Sequence, residues 1–105
     1  MYEYKATVKK VVDGDTIDVV IDLGFKIQYT ERIRLARINA PEMSTEEGKA
    51  VKKFVSSQLE GKGVIIKTEK NTFDKYGRWI AEVFYDDQKS INQLLLDNGM
   101  AVKYV

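Results

Sequence analysis

Cysteine and histidine are both absent from this chain. Without thiols there is no disulfide, no thiolate zinc site and no cysteine nucleophile. Without imidazole, the commonest general base and the commonest transition-metal ligand are gone as well. Acid–base chemistry must then rest on Asp, Glu, Lys, Tyr or metal-bound water. A charge excess is also lacking: 17 Lys and Arg against 16 Asp and Glu leave a net +1, less basic than a protein that merely coats nucleic acid. A nuclease need not be more basic, because an acidic metal site offsets its basic residues in the total. No apolar run is long enough to span a bilayer, and Met1-Tyr2-Glu3-Tyr4-Lys5 is no signal-peptide core. A cytoplasmic protein without membrane contact is expected, with a secreted mature form as the alternative.

What the chain does contain is enough for one small domain over residues 1–105: 44% of the residues are hydrophobic and 10% aromatic. Period-two alternation predicts strands over 4–12 and 16–22, joined at Asp13-Gly14, with Asp15, Ile17, Val19 and Ile21 on one face and Asp18 and Asp22 solvated on the other. A third extended stretch runs over 25–38, with Ile33 and Leu35 opposite Arg32, Arg34 and Ala36. Ser44 with Glu47 reads as a capping box for a helix over 45–60, with an apolar stripe of Ala50, Val51, Phe54, Val55 and Leu59 and a cap at Gly61. Val64-Ile65-Ile66 predicts a buried fourth strand, 70–78 a loop, and 79–85 a fifth strand. Ser90 with Gln93 caps a short helix over 91–98, and 101–105 reads as a last short strand. The class is α+β, mainly β: a five-stranded OB-fold barrel with one long helix between strands 3 and 4 and a short helix after strand 5.

Four segments carry the chemistry: Val12-Asp13-Gly14-Asp15-Thr16, Arg34, Asn39-Ala40-Pro41-Glu42 and Asp74-Lys75-Tyr76-Gly77-Arg78. Each has an ordinary reading by itself. Asp-Gly forms turns, a carboxylate is favoured near a helix N-terminus, and arginines decorate surfaces. As a set they are oxygen ligands for a hard cation plus two planar forks for phosphate oxygens. That combination suits metal-assisted attack on a phosphodiester.

With these motifs in this order on this scaffold, the chain resembles the staphylococcal nuclease (thermonuclease) family from about Ala6 to Val105. The resemblance implies an enzyme that cuts DNA and RNA with calcium and leaves 3′-phosphate ends. It implies Asp15, Asn39 and the Ala40 carbonyl as metal ligands, and Arg34 and Arg78 on the scissile phosphate. It implies Glu42 as general base or orienter of the attacking water, and Lys75 and Tyr76 as substrate contacts, with Tyr104 placed to stack a base. The family has an aspartate where Asn39 stands, so calcium at high concentration, or another divalent ion, is expected. The chain stops before the family's final helix, and a monomer is expected. Two other readings are a nucleic-acid-binding barrel that has lost cleavage and a protein-interaction barrel. Retention of Asp15, Arg34, Glu42 and Arg78 favours the enzyme.

Overall fold

The computed structural model describes residues 2–73 and 78–104. Strands β1 (Tyr2–Asp13), β2 (Thr16–Asp22) and β3 (Gln28–Leu35) form an antiparallel meander, followed by a two-residue strand β4 (Ile38–Asn39). Helix α1 (Glu46–Leu59) leads to β5 (Gly63–Phe73), β6 (Trp79–Tyr85) and a short β7 (Lys89–Ser90). Helix α2 (Ile91–Asp97) and β8 (Val102–Lys103) complete the described elements. β5 pairs antiparallel with β1 and β6, and β6 meets β3 in parallel at Ile33↔Trp79, Arg34↔Ile80 and Leu35↔Ala81. That last pairing closes β1, β2, β3, β5 and β6 into the expected five-stranded barrel.

Alternation fills the barrel. Ala6 and Val8, Ile17 and Val19, Ile33 and Leu35, Val64 and Ile66, and Ala81 and Val83 all point inward and are buried. Helix α1 adds Val51, Val55 and Leu59. Each aliphatic side chain fully withdrawn from water contributes about 1.5–3 kcal/mol, so the core outweighs any single polar contact. The barrel's closing seam is stitched by Asn92, which is buried. Its amide nitrogen donates to the Ala36 and Ala81 carbonyls and its oxygen accepts from the Val83 N–H.

Several local expectations need correcting. The third strand is Gln28–Leu35 rather than 25–38, because Phe25 and Lys26 turn the chain with positive φ and Arg37 (φ 61°) breaks it again. Helix α1 is capped by Thr45, not Ser44: the Thr45 hydroxyl accepts from the Gly48 N–H at 2.9 Å. Ala50 is exposed and lies off the buried stripe. Strand β5 runs on to Phe73, into the segment expected to be loop. Asp18 is paired across the strands with Arg32, at 2.8 and 3.2 Å, instead of being merely solvated. Gly61 (φ 78°) and the Ser90 cap stand as expected. Among the described residues no helix is long and apolar enough to cross a membrane.

Candidate active site

The turn between β1 and β2 builds the first wall. The Asp13 carboxylate accepts from the Asp15 N–H at 3.1 Å, an Asx-type turn that leaves Asp15 at the mouth of β2. Gly14 is buried beneath it, and a Cβ there would stand 2.8 Å from both the Ala40 Cβ and the Val51 Cγ1. Glycine therefore lets the turn press against both the 38–42 segment and helix α1.

Asp15 is the hub. Its Oδ2 accepts from the Ala40 N–H at 3.0 Å, and its Oδ1 accepts from the Thr16 hydroxyl at 3.2 Å. Arg34 Nη2 stands 3.7 Å from Oδ2, and the two side chains are only 14% and 15% exposed. Burial opposes ionisation of Asp15, but contact with Asp13, the Ala40 N–H and the Arg34 guanidinium outweigh it and hold its carboxyl below the ordinary 3.8. Burial and the adjoining Asp15 push Asp13 the other way, above its ordinary value. The turn thus keeps Asp15 charged at the expense of its neighbour.

Arg34 lies across β3 and β4. Nη1 donates to the Leu35 carbonyl at 3.2 Å and the Ile38 carbonyl at 3.1 Å, and Nη2 reaches Asn39 Oδ1 at 3.4 Å. The Tyr104 ring faces the guanidinium with 5.6 Å from Cζ to the ring centroid. Strand β8 brings it there by pairing Lys103 with Ile38 and Val102 with Asn39, and the Tyr104 N–H donates to the Arg37 carbonyl. Arg78 enters from the start of β6, its Nη1 3.4 Å from the Thr16 hydroxyl. Thr16 is almost wholly buried, so its one hydroxyl links Arg78 to Asp15.

Glu42 is exposed at the foot of α1, with its backbone held by the Thr45 N–H and hydroxyl, which donate to the Glu42 carbonyl. Only Pro41 separates it from Ala40, whose N–H bonds Asp15. The structure therefore gathers Asp15, Arg34, Asn39, Ala40 and Arg78, while Glu42 contacts only the start of α1 among the described residues. Lys75 and Tyr76 lie outside the described residues. Sequence gives Thr16 and Gly48 no role, and Gly14 only that of a turn former. Thr16 stood inside the quoted Asp-Gly-Asp-Thr motif, whereas nothing local marks Gly48.

Residues 32–105 match the family described as staphylococcal nuclease homologues. The chain belongs to that family. It is 35% identical over 100 residues to a thermonuclease from Staphylococcus intermedius, an alignment covering 90% of this chain and 56% of that protein. It is 31% identical over 110 residues to a micrococcal nuclease from Shigella flexneri, covering 97% and 59%. An uncharacterised endonuclease of Escherichia coli O157:H7 is 33% identical over 97 residues, covering 92% and 59%. The chain thus spans rather more than half the length of these curated relatives.

Proposed function

We propose that this nuclease domain hydrolyses DNA and RNA with little sequence preference, requires calcium or a similar divalent cation, and leaves 3′-phosphate ends. The observation that carries the reading is the hub itself. A buried, ionised Asp15 lies between one anchored guanidinium and a hydroxyl that holds the second.

The donors fit a hard cation. Asp15 and Asn39 offer side-chain oxygens, Ala40 a carbonyl, and none offers nitrogen or sulfur. Asp15 Oδ2 and Asn39 Oδ1 lie 3.7 and 3.4 Å from one guanidinium nitrogen, so both face the same small volume. Held there, a divalent ion would supply charge stabilisation to the attacked phosphoryl oxygens. Only one formal negative charge comes from this set, which favours weak affinity.

The chain's own groups do the rest. Arg34, fixed by two carbonyls, needs no reorganisation to offer its remaining donors to a phosphate oxygen, and preorganised donors of this kind are worth a few kcal/mol each. Arg78, held at the Thr16 hydroxyl, brings a second guanidinium to the hub. Glu42, exposed to water, takes the proton of the attacking water as the new phosphorus–oxygen bond forms and the bond to the 5′-oxygen breaks, the departing 5′-oxygen taking a proton from solvent.

The test is direct. Single-stranded DNA and RNA are incubated with the protein in calcium and then in chelator, and the ends of the products are assayed for 3′-phosphate. Calcium-dependent cleavage is expected, lowered roughly 10²-fold or more in Glu42→Gln. Salt-sensitive binding with no cleavage would replace the enzyme by a binding module.

A further inference from the structure

At the end of the barrel away from Asp15 lies an open mouth of about 360 Å³. Tyr2, Tyr4, Ile21, Tyr29 and Trp79 form its walls, and Glu31 is the one carboxylate lining it among the described residues. Beside it projects the β2–β3 hairpin tip. There the Ile27 N–H donates to the Gly24 carbonyl at 2.8 Å, with Phe25 (φ 52°) and Lys26 (φ 63°) as the two central residues. Positive φ at both centres is the geometry that Asn-Gly usually supplies, and here a phenylalanine and a lysine adopt it against their steric preference. The outcome is a Phe25 that is 98% exposed.

Five of the seven large apolar side chains exposed among the described residues sit at this end: Tyr2, Leu23, Phe25, Ile27 and Tyr29. Scattered exposed apolar residues need no explanation, but a cluster of this kind marks an interaction surface. We infer that this end is a self-association surface, on which Phe25 of each copy seats in the barrel mouth of the other. Three arguments select a second copy as the occupant.

Knob and hole lie side by side at one end of the same molecule, as a two-fold symmetric, self-complementary contact requires. Charge agrees, because Lys26 accompanies the knob and Glu31 lines the hole, so each copy sets its cation against the other's carboxylate. Among the described residues Glu31 accepts one hydrogen bond, from the neighbouring Arg32 N–H to its Oε1 at 3.1 Å. A single-stranded nucleic acid, by contrast, would bring negative charge to that carboxylate. Area agrees as well. A fully exposed phenylalanine, two half-exposed tyrosines and two half-exposed aliphatics amount to roughly 600 Å² per copy, near the ~800 Å² of a standard interface. A net charge of +1 adds almost no long-range repulsion between copies. The candidate active site stays open, because the seven residues of β2 put Asp15 about 20 Å from the tip.

Sedimentation equilibrium on the 105-residue chain tests this. A species of twice the 12.0 kDa chain mass is expected, with a dissociation constant on the order of 10–100 µM, as suits a modest interface. Phe25→Ser should weaken it at least tenfold without altering the circular dichroism. Lys26→Glu and Glu31→Lys should each weaken it, and the charge-swapped double variant should recover most of the loss. A wild-type chain monomeric at millimolar concentration overturns the inference, and so does a dimer indifferent to Phe25→Ser and to both charge reversals. A monomer whose tryptophan fluorescence responds to a short oligothymidylate would assign the mouth to bases instead.

Discussion

Gly48 lies directly against the Glu42 carbonyl oxygen, so close that a Cβ on Gly48 would collide with it. The first turn of α1 is thereby packed onto the segment that carries the proposed general base. In an ordinary helix, Gly→Ala gains up to about 1 kcal/mol. Here the collision is with backbone, which cannot rotate away.

Gly48→Ala should therefore destabilise the fold by about 1–3 kcal/mol despite the better helix propensity. It should also slow cleavage by moving Glu42. Urea unfolding and kcat/KM measured on the same preparation check both effects. A gain in stability with unaltered turnover would show that the 41–48 corner relaxes freely.

Asn39→Asp should strengthen cation binding, because it adds a negative charge beside Asp15 and ligand charge is a principal lever on calcium affinity. Arg34, 3.4 Å from Asn39 Oδ1, would tolerate the change well. The calcium concentration for half-maximal cleavage is expected to fall about tenfold. An unchanged value would remove Asn39 from the ligand set.

Arg34→Lys preserves charge and loses the fork. The Leu35 and Ile38 carbonyls, now held at 3.2 and 3.1 Å by one nitrogen, could not both be reached by an ammonium that also faces Asp15. Turnover should drop roughly 10²–10³-fold. A rate within threefold of the parent would mean that a point charge suffices.

The acid limb of stability should bear the mark of Asp15. Its folded carboxyl titrates below the ordinary 3.8, so the stability from its charged form is complete above that value and fades as pH falls beneath it. Asp13, raised by burial and by Asp15, carries the opposite sign and loses its contribution as pH rises through its folded value. Asp15→Asn removes the first effect and relaxes the second. Urea midpoints between about pH 6 and about pH 2.5 should then fall less steeply for the variant than for the parent. Parallel curves would show that Asp15 gains nothing from its neighbours.

Much of this was legible in the chain. Period-two alternation marked the inward faces of β1, β2 and β3, since a pleated strand must send alternate side chains to the core. The Ser90 cap and Gly61 were readable because their signals are local. Thr45 displaced Ser44 as the cap of α1 because two adjacent hydroxyl residues offer the same local chemistry, and the Glu42 carbonyl bonded to Thr45 settles the choice. Asp18 looked solvated by parity alone, and only cross-strand register set Arg32 opposite it. Sequence marks Asn92 only as one residue of the helix over 91–98. Its three bonds depend on β3 meeting β6, a contact between segments more than forty residues apart.

Composition and pattern determined by themselves that this protein is a small β-rich barrel, that its chemistry excludes thiols and imidazoles, and that any side chains it could offer a hard cation do so through oxygen. Tertiary structure decided which of those oxygens meet. Asp15 touches Ala40, Arg34 and Thr16 only because barrel closure and two glycine-permitted contacts bring separate segments within hydrogen-bonding range. It also decided that Phe25 stands outside the core. A side chain's type is written locally, but its company is set by packing across the whole chain.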